Sequence, residues 1–174
     1  MKALRGYGVL LRPLEATDLE MVRQWRNAAH VRENFELQGE ITPENQQKWF
    51  REMDKSRNYY WVIVRGNEDV GVIHAKEIDW ESKRAEAGIF IGEKRQMGGS
   101  VAGGAILAMM DYLFGELEFE ELRAKVKAEA KENVKLNRQL GYEILPGQQD
   151  QAFPIYRCTR TAYYSAFRSR FPGP

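Results

Sequence analysis

Apolar residues recur at two spacings along this chain, and the switches between them divide it into elements. Near the start, Gly8-Val9-Leu10-Leu11-Arg12 is a short apolar run closed by Pro13 and reads as a strand. Leu19, Val22 and Trp25 then fall at three-residue steps behind Thr17-Asp18-Leu19-Glu20, which fits a capping box and predicts a helix running into Arg26-Asn27. A second short helical piece is expected from His30 to Phe35, followed by a polar loop from Glu36 to Glu40. Thr42-Pro43-Glu44 predicts another helix start, with Thr42 as cap and Pro43 at the first turn, where a missing N–H costs nothing. Trp49, Phe50 and Met53 supply its apolar face.

From residue 59 the aromatic and β-branched residues run continuously, as strands do. Tyr59 to Val64 and Val70 to Ile78 read as a hairpin across Gly66-Asn67-Glu68-Asp69, and Ala85 to Ile91 as a third strand after the turn Asp79 to Lys83. The helical period returns over about Gly99 to Gly115, where Ala102, Ala105, Ile106, Met109, Met110 and Leu113 recur at three- and four-residue steps. A strand (Leu122 to Ala128), a helix (Lys131 to Leu140) and strands at Tyr142 to Leu145 and Phe153 to Thr159 follow. The tail from Arg160 to Phe171 alternates aromatics with arginine and is expected to form a terminal helix docked on the domain or on a second subunit. This order predicts an α/β (α+β) fold: a mixed, mostly antiparallel sheet covered by helices in one domain over 1–174, with a core of about 9–159.

Length and charge narrow the classes. A chain of 174 residues suits one domain with room for a core and a cleft. Lys plus Arg number 26 against 25 Asp plus Glu, so no broad basic footprint marks nucleic acid or an anionic membrane as partner. No apolar run reaches the ~20 residues of a spanning helix, and the first residues lead into no signal-peptide core, so a cytoplasmic protein is expected. One cysteine, Cys158, and two distant histidines exclude an internal disulfide and leave no metal site expected.

The chemistry concentrates in Arg95-Gln96-Met97-Gly98-Gly99-Ser100-Val101-Ala102, a small-residue turn between a strand and the longest helix. Such a turn aims backbone N–H groups into one concavity, where the helix's positive end favours an anion, most often a phosphate. No Gly-Lys-Ser/Thr closes a Walker loop, and the dinucleotide spacing Gly-x-Gly-x-x-Gly is absent from it. A plain turn with glycines admitting close helix packing is the alternative.

With its surroundings, the stretch resembles the GNAT superfamily of acetyl-CoA-dependent N-acetyltransferases. Arg95-x-x-Gly98-x-Ser100 matches that family's Arg/Gln-x-x-Gly-x-Gly/Ala loop, with serine as the departure. Leu11-Arg12-Pro13-Leu14, Asp18 and Trp25-Arg26-Asn27 resemble the opening of the branch holding ribosomal-protein N-terminal and amino-sugar acetyltransferases. Asn133 to Tyr142 resembles the family's Ser-x-x-Leu-Tyr-x-x-Leu-Gly-Phe helix and turn. The resemblance implies a sheet splayed between its fourth strand (Ala85 to Ile91) and fifth (Leu122 to Ala128), with helices on both faces. It also implies acetyl-CoA as co-substrate. Coenzyme A would be held by Ile89 and Ile91 through free strand amides, by the loop residues Arg95, Gly98, Gly99, Ser100, Val101 and Ala102, and by Asn133 and Asn137. Asn137 stands where relatives carry the tyrosine that protonates the departing thiolate, and an amide has no such proton to give.

Acetyl transfer needs a deprotonated amine, and alkyl ammonium groups titrate near 10.4, so a base is required. Glu86 is one candidate. Alternation groups it with Gly88 and Phe90 without showing which face they take, and the alternative is a surface carboxylate balancing Arg84. His74, mid-strand, is the other, against a core histidine bonded to its neighbours; Glu77 is a weaker third. Arg26, Asn27 and Arg32 are the acceptor-binding candidates, lying where the family's acceptor cleft is lined. A small-molecule amine is the expected partner, an amino-sugar or nucleotide-linked amino-sugar first. The alternatives are a protein N-terminus and a non-catalytic acyl-CoA-binding module.

Overall fold

The computed structural model describes residues 1–36 and 39–168, the last two by backbone alone. The strands are β1 (Leu4–Gly6), β2 (Val9–Pro13), β3 (Tyr59–Arg65), β4 (Glu68–Asp79), β5 (Arg84–Ile91), β6 (Glu121–Lys125), β7 (Glu143–Ile144) and β8 (Ile155–Thr159). The helices are α1 (Leu19–Asn27), α2 (Ala29–Arg32), α3 (Pro43–Glu52), α4 (Ser100–Met110), α5 (Lys131–Gln139) and α6 (Arg160–Tyr163). The described strands form one sheet in the order β1-β2-β3-β4-β5-β6-β8-β7, antiparallel except where β5 lies beside β6. This is the mixed, mostly antiparallel sheet expected.

Alternation along the central strands sorts the two faces. Trp61 and Ile63 of β3, Ile73 and Ala75 of β4 and Ala85 and Ala87 of β5 are buried in the core that α4 covers through Val101, Ala105 and Met109. On the opposite face Val62 and Val72 join Val22 and Trp25 of α1, with Trp49 and Phe50 of α3 packed against them. Helices thus cover both faces. α4 continues past Met110 as a wider π-helical turn, Asp111–Glu116, so the expected length of this helix is met with a change of winding.

Several local expectations are corrected. β1 was not anticipated, because three residues are too few to show a period; its pairing Leu4↔Leu11 adds a strand ahead of the one expected first. Thr17 and Glu20 do not form the capping box. The carboxylate of Asp18 instead accepts from the Glu15 N–H at 2.8 Å and takes both guanidinium nitrogens of Arg12. Strand pairing in β6 stops at Lys125 rather than Ala128, although the Val126 and Ala128 N–H groups still reach the carbonyls of Pro154 and Ala152. The second helical piece ends at Arg32 rather than Phe35. Thr42 caps α3 as expected, its hydroxyl accepting from Asn45 N at 3.2 Å. Of the expected tail helix, residues 169–171 lie outside the described residues.

The sheet is cut by one feature. β5 and β6 pair only at Arg84↔Glu121, Ala85↔Leu122 and Glu86↔Arg123. Beyond Glu86, β5 stays zipped to β4 through His74↔Gly88 as far as Gly71↔Ile91, while β6 continues paired only with β8. The two strands therefore diverge and leave one edge of β5 bare. The extra β1 makes this the gap between the fifth and sixth strands.

At the end of β5 the chain passes under Trp25. A Cβ at Gly92 would lie 2.1 to 2.6 Å from three atoms of that indole, which is itself buried in the α1 interface. Gly92→Ala should therefore lower stability by about 1–3 kcal/mol, the usual cost of overpacking. Thermal or urea unfolding checks this, and a wild-type midpoint would show that Trp25 moves aside freely.

Candidate active site

The gap between β5 and β6 opens into a cavity of about 1040 Å³ that runs through the sheet. On the α4 side its wall carries Ile89, Ile91, Gly98, Ala102, Asn133 and Asn137, six of the ten residues expected to hold coenzyme A. The other four, Arg95, Gly99, Ser100 and Val101, are not on that wall.

Geometry around the loop fits a bound anion. A short 3-10 turn, Lys94–Gln96, leads to Gly98, whose φ of +73 is a left-handed conformation that a side chain would strain. Among the described residues no atom beyond its chain neighbours lies within 4 Å of where its Cβ would stand, so open space faces the loop. Gly99 then caps α4 without any side-chain cap, leaving the first N–H groups of an eleven-residue helix to an incoming acceptor. Val101 is buried, so only its backbone is available to a ligand. Arg95 is held by Glu68 at 2.9 Å, beside rather than inside the loop. Asn133 and Asn137 share the α5 face as their spacing requires, but Asn137 Nδ2 donates to the Asn133 carbonyl at 2.8 Å, which uses one of its two donors.

The α1–α3 side holds the charges. Register settles the direction of Glu86: Lys76↔Glu86, Tyr60↔His74↔Gly88 and Val62↔Val72↔Phe90 lie in successive rows, so Glu86, Gly88 and Phe90 face α1 and α3. Glu86 pairs with Lys76 at 2.9 Å, not with Arg84, whose nearest acid is Glu121. One row along, β4 carries a bulge between Lys76 and Asp79, and Glu77 takes the left-handed φ of 53. Lys76 and Glu77, successive residues at that bulge, both line the cavity, and Glu77 lies near enough to Tyr60 to act on its hydroxyl. Tyr60, on this wall too, has its hydroxyl pushed up to about 12 by burial and by the neighbouring charges of Glu86 and Glu77.

His74 lines this side of the cavity. Burial, with Lys76 and Arg26 nearby, pushes its imidazole down to about 3, and Nδ1 is sealed without a partner among the described residues. A ring so reluctant to accept a proton is a poor general base at neutral pH, and it is not the hydrogen-bonded core histidine of the alternative either. It fits because residue 88 is glycine: a Cβ there would stand 2.5 Å from Nε2. Arg26 does line the cavity. Its guanidinium lies 3.4 Å from the centre of the Phe35 ring, and Nη1 is buried with no hydrogen bond among the described residues. Burial lowers its pKa. Asn27 and Arg32 are not on the wall. Both ends of the Asn27 amide are spent on Ile41, at 2.9 Å each, pinning the loop before α3.

Trp49, Tyr60, Phe35, Phe90 and Lys76 were missed as wall residues. The signal for three of them was strand register: Tyr60, Lys76 and Phe90 share the face of His74 and Glu86. Trp49 and Phe35 come from helical and loop segments whose contacts no short-range pattern specifies.

Two outcomes follow from this geometry. Gly98→Val places a branched residue at left-handed φ and fills the open side of the loop, so acetyl-CoA affinity by calorimetry should fall at least about tenfold in a folded protein. Unchanged affinity would detach the loop from donor binding. With its pKa held near 3, His74 stays neutral from pH 5 to 8. The pH–rate profile of His74→Asn should therefore keep the wild-type shape, and a limb near 6.5 that vanishes in the variant would restore His74 as the base.

Comparison with known proteins agrees with this architecture. A profile described as "Acetyltransferase (GNAT) domain" matches residues 9–143. Spermidine N(1)-acetyltransferase of Escherichia coli (strain K12) is 32% identical over 140 residues, covering 80% of this chain and 75% of the relative. Among solved structures, spermidine N-acetyltransferase from Vibrio cholerae in complex with CoA and spermine superposes with a TM-score of 0.78 at 19% identity, over 90% of this chain and 98% of that one. A nucleotide-linked sugar GNAT does so with a TM-score of 0.79 at 18% identity, over 97% and 96%. With a matching domain profile over most of its length, a sheet split after Glu86 and a glycine turn opening α4, the chain belongs to the GNAT family of acetyltransferases.

Proposed function

We propose that this acetyl-CoA-dependent N-acetyltransferase acts on the primary amine of a small molecule that also carries an anionic group, a nucleotide-linked amino-sugar first. The observation behind the acceptor class is Arg26: a guanidinium on the acceptor wall, stacked on Phe35, with Nη1 buried and unsatisfied among the described residues. A buried cation without a partner is costly, and a phosphate or carboxylate on the acceptor would relieve that cost. Arg26 also opposes a polycation. The second reading, a polyamine, is favoured by the spermidine relatives and by the Glu77 and Glu86 carboxylates beside Trp49 and Tyr60.

Donor and acceptor meet at the split in the sheet. The bare edge of β5 offers strand amides at Ile89 and Ile91 to the donor's amide-rich arm, and one such N–H serves the oxyanion that develops on the thioester carbonyl. The acceptor arrives as an ammonium ion. Glu86, fixed by Lys76, takes its proton directly or through a water, and the freed lone pair attacks the acetyl carbonyl. The charges that orient the acceptor are Arg26 toward α1 and Glu77 at the bulge.

Thiol release with an amine panel tests this. A nucleotide-linked amino-sugar should exceed spermidine and an N-terminal peptide in kcat/KM. Arg26→Gln should lower kcat/KM for the anionic acceptor by about ten- to a hundredfold, the worth of a charge-assisted hydrogen bond, while leaving spermidine equal or better. Spermidine turning over fastest, with Arg26→Gln without effect, would establish the polyamine reading. Glu86→Gln should cut turnover by about 10²–10⁴-fold at unchanged acetyl-CoA affinity. A wild-type rate would leave Glu86 only the partner of Lys76.

A further inference from the structure

α5 borders two hollows. Asn133, Leu136 and Asn137 line the cavity already described, while Lys131, Val134, Lys135 and Arg138, at three- and four-residue spacing, line a second recess of about 440 Å³. The hollows adjoin residue by residue: Lys127, Asn133 and Asn137 line the first, and their chain neighbours Ala128, Val134 and Arg138 line the second. The recess is basic and its charges are free. Among the described residues, the side chains of Lys131, Lys135 and Arg138 have no carboxylate partner and donate no hydrogen bond. Lys125 and Lys127, just ahead of them, are spent on Glu36 and on the Glu33 carbonyl. Glu132, the acid in the first turn of α5, does not line the recess. The arrangement works against the helix itself. Lys131 opens α5 at the end whose partial positive charge disfavours a cation, and Lys135 repeats that charge one turn on, an unfavourable like pair. Cations set against their own helix, around an open recess, call for an anion.

We propose that Lys131, Lys135 and Arg138 bind the phosphate on the ribose of coenzyme A, so that this chain selects CoA esters over their dephospho forms. The proposal rests on the reading that the donor lies along the bare edge of β5 with its pyrophosphate at the glycine turn. The nucleotide then leaves the gap at the mouth that Gly98, Asn133 and Asn137 share, and the recess is the next hollow beyond those asparagines. A phosphate monoester carries about −1.5 to −2 charges at pH 7, more than one cation can balance. Arg138 can grip two of its oxygens with the guanidinium fork, and the two lysines add point charges from one turn to the next. The group takes no part in acetyl transfer, so its recognition belongs to the affinity for the donor and not to the chemical step.

Calorimetry with CoA and dephospho-CoA, on wild type and on Lys135→Gln/Arg138→Gln, tests this. Wild type should prefer CoA by about tenfold, the sum of several exposed charge pairs. The double variant should bring the two ligands within about twofold of each other, by weakening CoA and leaving dephospho-CoA unchanged. Raising salt from about 50 mM to 500 mM should shrink the wild-type preference, because exposed charges are screened. With acetyl-CoA as donor the loss should appear in its KM, with kcat at saturation unchanged. Glutamine keeps the helix, and Lys131→Gln should melt at or above the wild-type temperature while also losing preference for CoA. Equal wild-type affinities for the two ligands overturn the proposal without any variant. So does a preference that survives the double variant, which would hand the phosphate to another cation such as Arg65, whose Nη1 lies 3.9 Å from where a Cβ of Gly99 would stand. An intact preference with a raised KM for an anionic acceptor overturns it too, by giving the recess to the acceptor. Gly98→Val separates this from the underlying reading: unchanged affinity for both ligands there removes the donor from the turn, whereas a fall for both, with α5 indifferent, removes only the recess.

Discussion

A backbone that stops pairing on one side governs this molecule. β5 makes three pairs with β6, ending at Glu86↔Arg123, while its other edge stays bonded to β4 to Ile91. Strand N–H and C=O groups facing a gap inside a domain need partners as surely as any buried peptide does. A ligand rich in amides is the partner that such an edge selects. Sequence alone cannot keep the gap open; topology does it. β6 lies parallel to β5 for three pairs and is bonded to β8 along its whole length, and α5 lines the cavity through Asn133, Leu136 and Asn137.

The two faces of β5 then do different chemistry. Ala85 and Ala87 are small and buried, letting α4 approach closely and set its uncapped end at the mouth of the gap. Glu86, Gly88 and Phe90 face the helices that precede the meander. Gly88 matters here less for backbone freedom than for its missing Cβ: the space it leaves is filled by His74. A residue of any size at 88 would displace the ring that fills the floor of the acceptor side, between Tyr60 and the strand edge.

What the sequence disclosed follows from which interactions are local. The Gly98 turn, the start of α4, the Thr42 cap and the meander depend on contiguous residues, and each was legible. The family resemblance was legible for the same reason, since its motif lies within one loop and one helix. Charge pairing was not. Arg84 sits two residues from Glu86 in the chain, yet strand register hands Glu86 to Lys76, ten positions away. Asn27 looked like a cleft residue because its helix ends at the cleft, but its amide is consumed by Ile41, fourteen positions on. The depressed basicity of His74 arises from burial and from two cations, Lys76 two residues along the same strand and Arg26 on α1, and no strand pattern encodes the burial or the approach of Arg26.

The bulge at Glu77 sets the end of β4 apart from the regular rows that carry the bare edge of β5. An extra residue in β4 leaves the rows from Lys76 to Gly71 in register with β5, so the bare edge and the glycine turn keep their geometry. The irregularity is confined to the end of the strand, where Lys76 and Glu77 both line the cavity. The wall proposed above for the acceptor is thus assembled from a bulge, the end of α1 with Arg26, and the segment carrying Phe35. Substitution at any of these changes the charge met by an incoming amine while the donor half, built from β5, α4 and α5, stays as it is. An arginine stacked on an aromatic ring at one end and a carboxylate in left-handed backbone at the other give the cavity charges of both signs, and the acceptor class proposed above rests on that pairing.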